Sequence, residues 1–193
     1  RVAAGLAALG VGDGTRVVVM MRNIPRFHVV DMAAYFCGAT PISIYNSSSP
    51  EQVAYLTGHC GATVAIVEDT GFLERFLKVR DELPALEHLV LLDDPDGLAG
   101  PDVHTYASLL EHEPVDLESA AAIVTPDHLA TLIYTSGTTG PPKGVMLTHR
   151  NIAWTVESLR RTLELESYLG KRIVSYLPMA HIAERMTSHY QQA

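Results

Sequence analysis

Two cysteines, one tryptophan, no long apolar run and no basic excess limit this chain before any motif is considered. Cys37 and Cys60, with no CxxC spacing, leave no room for a disulfide framework. Both lie among apolar neighbours and read as buried free thiols in a reducing compartment, a single disulfide between them being the alternative. No apolar run approaches the roughly twenty residues that span a bilayer. The opening RVAAGLAALGVGDGTR lacks a cleavable signal pattern. A cytoplasmic protein is expected, with peripheral membrane contact left open. The formal net charge of −8 argues against a general nucleic-acid surface, so no nucleic-acid partner is expected, while one local basic site remains allowed. The histidines lack metal-ligand spacing, and no repeat or low-complexity linker interrupts the chain.

What is present is apolar and alternating. Hydrophobic residues make up 47% of 193 residues and charged residues 19%, enough to bury a core. β-rich runs at Arg16 to Met21, Pro41 to Tyr45, Thr63 to Val67 and His88 to Leu92 are separated by helical patterns, which predicts an α/β fold of mostly parallel βαβ sheet layers. The first helix opens near Pro25, carries Phe27, Val30, Ala34 and Cys37, and closes at Gly38. The second has Ser49 as its cap with Gln52 three residues on, Pro50 at its first position, and Val53, Leu56 and Cys60 as its stripe before Gly61. A third is expected from about Gly71 to Leu83, with Pro84 ending it. DDPDGLAG (93–100) reads as a turn, Tyr106 to His112 as a short helix, and Pro114 to Pro126 as an irregular connection. A soft boundary near residue 116 therefore divides a βαβ half, 1–115, from a second half, 116–193.

The second half holds the chemistry. Residues 130–151 read ATLIYTSGTTGPPKGVMLTHRN: an apolar run, a polar loop, then a second apolar run. Two short strands should clasp the loop. Its glycines let successive N–H groups turn inward, and Thr135, Ser136, Thr138 and Thr139 add hydroxyl donors. Lys143 adds a full positive charge, completing what a polyphosphate needs. A Walker A loop, G-x-x-x-x-G-K-[ST], is excluded, because Lys143 lies three residues after Gly140 and is followed by Gly144. Ile152, Val156, Leu159 and Leu163 then mark a helix that should pack beneath the loop, with Thr148 as its cap. Arg172 to Leu177 reads as a further strand, whose end delivers His181 after the Pro178–Ala180 turn; ligands in open α/β sheets gather at such strand ends. Asp31, alone on the first helix, is expected to face solvent or cap a neighbour. Glu184 and Arg185 read as an exposed helical pair, and His149 and Arg150 as surface or structural residues.

The string YTSGTTGPPKGV with THRN after it closely resembles the phosphate loop of the adenylate-forming superfamily: acyl-CoA synthetases, adenylation domains of peptide synthetases and luciferases. MRNIPRFHVVDMAAYFCGATPISIYNSSSPEQVAYL and GATVAIVE are similar to the early part of a bacterial long-chain fatty acyl-CoA synthetase, and YLPMAHIAER to the motif that follows the loop there. The resemblance implies an incomplete N-terminal AMP-binding domain, 1–193, of an enzyme that activates a long-chain fatty acid with ATP and Mg²⁺ and passes the acyl group to CoA. In that scheme Thr135, Ser136, Gly137, Thr138, Thr139, Gly140 and Lys143 bind the nucleotide and Thr135 touches the metal. Lys143 and His181 are the catalytic candidates, His181 bordering the acyl and adenylate pocket. The later glutamate-bearing motif, the ribose-binding aspartate, the hinge and the C-terminal domain with its catalytic lysine would lie past residue 193, so the fragment alone is not expected to turn over. A related adenylating enzyme for another carboxylate or a carrier protein, and a non-catalytic nucleotide-binding domain, are the competing readings; a homodimer is left open.

Overall fold

A computed structural model of the chain describes residues 1–136, 140–163 and 172–191. The four β-rich runs become β1 (Arg16–Met20), β2 (Thr40–Ser43), β3 (Val64–Val67) and β4 (His88–Leu91), and Val103–Thr105 adds β5. All pair in parallel in the order β2-β1-β3-β4-β5. Every residue of β2 and β3 is buried, which is why these strands read as unbroken apolar runs rather than as alternating ones. The faces nonetheless divide by parity. Val18 and Met20 pack with Val53, Leu56, Phe72 and Phe76 of α3 (Pro50–Cys60) and α4 (Thr70–Lys78). Val17 and Val19 pack with Leu6, Phe27 and Val30 of α1 (Val2–Ala8) and α2 (Pro25–Phe36). Each fully buried side chain of this size contributes about 1.5–3 kcal/mol.

The local signals read from the sequence explain most helix ends. Ser49 and Gln52 form a reciprocal capping box on α3, and Gly61 closes it at φ +65°. The third helix is shorter than predicted: Asp69 caps α4, which stops at Lys78, and a 3₁₀ turn at Arg80–Glu82 carries the chain on to buried Leu83. Two brief helices follow, α5 (Tyr106–Leu109) and α6 (Leu117–Ala121), the latter capped by Asp116 inside the stretch read as irregular. Both thiols are free, each pushed up to about 11 by burial; Cys60 is buried and Cys37 half-buried.

Beyond residue 128 a second, two-stranded sheet forms from β6 (Leu129–Thr135) and β7 (Lys143–Thr148), antiparallel from Leu129–Thr148 to Thr135–Lys143. β6 runs beside β2 in the same direction but is joined to it through side chains: the Thr131 hydroxyl donates to the Pro41 carbonyl (2.8 Å) and the Thr40 hydroxyl to the Leu129 carbonyl (3.1 Å). Pro41 lacks the N–H that a continuous ladder needs, which suits β2 to a sheet edge. A capping box of Thr148 and Asn151 then starts α7 (His149–Thr162). This helix does not sink beneath the loop as expected. None of its residues is fully buried, and Trp154 is 72% exposed.

The C-terminal segment departs furthest from expectation. Residues 172–176 form no strand; Val174 and Tyr176 are exposed, since no neighbouring strand among the described residues offers ladder partners. Asn23 Nδ2 instead donates to the Ser175 hydroxyl (2.7 Å) and to the Leu177 carbonyl (2.8 Å). Glu184 and Arg185 are buried rather than exposed, and Asp31 is buried rather than facing solvent. After α8 (Ile182–Glu184) the chain enters a π-helical stretch, Arg185–Tyr190. From it Arg185 Nη2 donates to both Asp31 carboxylate oxygens (2.7 and 2.9 Å) and Nη1 to the Ser43 hydroxyl (2.8 Å), while His189 Nε2 lies 2.8 Å from the same carboxylate. Sequence spacing could not pair residues this far apart. Burial alone would raise the Asp31 pKa, but the Arg185 charge and the His189 hydrogen bond outweigh it and hold the carboxyl below its ordinary 3.8.

A group whose folded pKa is depressed contributes stability that is fully present above its unfolded value and is lost as pH falls through the folded one. The stability difference between the wild type and Asp31→Asn, measured by urea unfolding of the full-length protein, therefore shrinks as pH drops below 3.8. At neutral pH, Asp31→Ala costs about 3–5 kcal/mol, because it strands a buried guanidinium; an apolar pair, Asp31→Leu with Arg185→Met, recovers part of that loss in the same assay.

Candidate functional site

A cavity of about 630 Å³ opens where three elements converge: the segment after β2 (Tyr45, Ser48), the first turns of α3 (Glu51, Tyr55), and the end of β6 with the loop beyond it (Thr135, Ser136). His181 and Ile182 complete its lining from the C-terminal segment. The two stretches singled out for chemistry in the sequence thus border one space. The cavity does not lie at the sheet's own topological switch point between β1 and β3, where doubly wound sheets commonly bind ligands. There Arg22 Nη1 contacts Glu68 (2.8 Å) and Asp69 (2.6 Å), and the Arg22 backbone N–H donates to Glu68.

The loop's arms are set by the hairpin. Thr135 and Ser136 line the cavity, and Lys143 is the cross-strand partner of Thr135, so these two side chains leave one face of the ladder. Lys143 is exposed, is not itself part of the cavity lining, and makes no ion pair among the described residues. Gly140 has φ +87°, a left-handed conformation that costs a side-chain-bearing residue about 1–3 kcal/mol. Gly144 faces Tyr134 across the ladder, and a Cβ there would lie 3.0 Å from Leu132 Cδ2 and 3.5 Å from the Tyr134 ring. Gly137, Thr138 and Thr139 lie outside the described residues.

Glu51 contributes a carboxylate to the same lining, its pKa lowered by the hydrogen bond from the Ser49 hydroxyl (2.6 Å). A polyphosphate therefore needs counter-charge here, and Lys143 is the cation the hairpin offers. The hydroxyl and glycine chemistry of the loop fits a nucleotide's phosphates. A divalent ion would take its ligands mainly from phosphate oxygens and water, with the Thr135 hydroxyl as the protein's contribution. Among the described residues there is no group of three or more His, Cys, Asp or Glu suited to hold a metal by itself.

His181 is exposed and caps α8, Nδ1 accepting from the Ala183 backbone N–H (3.2 Å). In the neutral ring Nε2 then carries the proton and is a donor. The His181 backbone is fixed by its own N–H to the Pro178 carbonyl (2.8 Å), and its carbonyl accepts from Glu184 and Arg185. Of these residues Arg185 is the one rooted in the core, through Asp31. Sequence reasoning missed Tyr55, whose hydroxyl donates to the Pro142 carbonyl (2.9 Å), and His59, whose Nδ1 lies 2.9 Å from the Tyr134 hydroxyl. Their i, i+4 spacing on a helix with its apolar stripe elsewhere was the available signal. His149 packs edge-on against Tyr35 and Arg150 pairs with Asp127, so both have structural partners.

The family model described as "AMP-binding enzyme" matches residues 1–191. A long-chain-fatty-acid–CoA ligase of Xenopus laevis, ACSBG2, is 34% identical over 193 residues, covering 96% of this chain and 26% of its own length. A solved anthranilate CoA ligase, AuaEII in complex with anthranoyl-AMP, aligns with a TM-score of 0.73 at 28% identity over 81% of this chain and 29% of its own. A putative long-chain-fatty-acid CoA ligase from Rhodopseudomonas palustris shares the fold, with a TM-score of 0.80 at 18% identity over 99% of this chain and 46% of its own. The chain thus spans about a quarter of the length of the first curated relatives it matches.

Proposed function

The chain belongs to the AMP-binding enzyme family, and from that premise we propose that the protein carrying it activates a fatty acid as its adenylate and transfers the acyl group to CoA. What carries the reading is the cavity shared by Thr135, Ser136 and His181, with Lys143 paired to Thr135 at its rim. In this proposal residues 1–115 are scaffold and 116–193 the loop-bearing half of a larger AMP-binding domain. The long-chain ligase names of its relatives support the substrate class.

The reaction proposed is two displacements. A carboxylate oxygen attacks the α-phosphorus of ATP, forming an O–P bond as the bond to the pyrophosphate oxygen breaks. The CoA sulfur then attacks the acyl carbon, losing its proton, and AMP leaves with the C–O electron pair. Lys143 and the loop hydroxyls would orient the β- and γ-phosphates and stabilise the negative charge that gathers on departing pyrophosphate. Mg²⁺, when bound with the nucleotide, neutralises part of that charge. His181, an Nε2–H donor in the cavity lining, would hydrogen-bond at the junction of acyl group and nucleotide, excluding water as the carboxylate approaches.

The anthranilate ligase among the relatives favours a second reading, activation of a different carboxylate. Pyrophosphate exchange in the full-length protein with fatty, aryl and amino acids separates the two. A signal with fatty acids of long chain supports the first reading, whereas exchange with aryl acids alone replaces it with the second. Lys143→Ala lowers adenylate formation by about two orders of magnitude; normal exchange in that variant refutes the phosphate role. His181→Ala slows adenylate formation while its stability falls by no more than a lost helix cap costs, about 0.5–2 kcal/mol, and a variant that is destabilised yet keeps the wild-type rate when folded assigns His181 a capping role only.

A further inference from the structure

The two arms of the phosphate loop are tied to one face of one helix. On the ascending arm, Tyr134 immediately precedes Thr135; its hydroxyl lies 2.9 Å from His59 Nδ1 and 3.4 Å from the Leu56 carbonyl. On the descending arm, the carbonyl of Pro142, in the same peptide group as the Lys143 N–H, accepts a 2.9 Å bond from the Tyr55 hydroxyl. Tyr55 and His59 are one turn apart on α3, their rings 5.4 Å apart, and His59 meets the Tyr134 ring edge-on at 5.7 Å. Gly144 lies across the ladder from Tyr134, and a Cβ there would crowd Leu132 Cδ2 at 3.0 Å.

The same helix lines the cavity. Glu51 and Gln52, in the first turn of α3, border it with Tyr55, and Thr135 and Ser136 border the same space. The hairpin ladder already holds the two arms to each other through the Thr135–Lys143 pair. Apart from the apolar packing of Leu132 and Tyr134 against α3, the ladder does not itself hold the hairpin to that helix. Because α3 and the end of β6 both line the cavity, their separation bears on its width.

We propose that Tyr55 and His59 are positioning residues that clamp both arms of the loop against α3, and so set the gap into which the nucleotide's phosphates fit. The inference rests on the reading of the loop as a phosphate site. Neither residue needs to touch ATP: the Tyr55 hydroxyl is spent on Pro142, and His59 lies outside the cavity lining. Losing a bond that orients the Lys143 peptide group weakens nucleotide binding and leaves acid binding alone.

Pyrophosphate exchange by the full-length protein tests this with Tyr55→Phe, which removes one hydroxyl, and His59→Phe, which keeps a ring between Tyr55 and Tyr134 and removes the nitrogen. The expected result is a rise in KM for ATP of about 3- to 10-fold in Tyr55→Phe and about 2- to 5-fold in His59→Phe. KM for the acid stays within about twofold, as for any interaction made only with the nucleotide. Equal increases for both substrates, accompanied by a lower unfolding temperature, mean general structural support and overturn the clamp. A response in Tyr55→Phe without one in His59→Phe also overturns it, since a two-armed clamp must register at both. Lys143→Ala in parallel separates the failures: if it impairs exchange while both Phe variants match the wild type in KM for ATP, the clamp fails and the phosphate reading stands. If Lys143→Ala is unimpaired, the phosphate reading fails and the clamp falls with it.

Discussion

Pro41 cannot donate to a neighbouring strand, and that single missing N–H governs how the site is assembled. The parallel sheet ends at β2, and β6 is held beside it by the Thr131 and Thr40 hydroxyls. Because β6 is seamed to the sheet rather than merged with it, its end can turn away from β2 and pair with β7 as a separate hairpin. Leu132 and Tyr134 still fill the apolar layer that α3 and α4 share with the parallel sheet, so the hairpin is anchored by burial as well as by two polar contacts. The cavity follows from this arrangement: the first turns of α3 and the end of β6 with Ser136 both line it.

The remaining wall depends on a buried charge. Arg185 is wholly buried and would be prohibitively costly alone; Asp31 makes its burial tolerable, with Ser43 and Tyr190 taking further guanidinium donors. The pair joins a π-helical stretch near the end of the chain to α2 and β2 near its start. A π-helical turn is itself a costly local geometry, retained here where Arg185, His189 and Tyr190 all reach the first helical layer. His181 sits four residues before Arg185 and inherits its position from it. The hydroxyl loop and the histidine are therefore brought to one cavity by two independent anchorages, one built from strand-edge chemistry and one from an ion pair.

Much of this was legible in residue order because the signals concerned are local. The four apolar runs, the Ser49–Gln52 box, the Thr148 cap, and the hairpin clasping the loop all depend on residues within a few positions of one another. Three readings failed for a common reason. Asp31 looked solvent-facing because its partner is far away in the chain. Glu184 and Arg185 looked like an exposed i, i+1 pair because nothing nearby neutralises them. Residues 172–177 looked like a strand because β-propensity is present there while the neighbour a strand must pair with is not. Tyr55 and His59 were passed over since an aromatic residue at helical spacing reads as packing.

Residue order alone was sufficient to specify the alternating α/β scaffold, the hairpin that carries the glycine- and hydroxyl-rich motif, and the family to which these belong, since periodicity, caps and a contiguous motif all lie along the chain. The tertiary structure alone decided which edge the hairpin leans on, that a carboxylate and a guanidinium from opposite ends of the chain are buried together, and that one face of α3 holds both arms of the loop. Those outcomes turn on which groups lose their water in each other's company, and desolvation has no signature until distant residues meet.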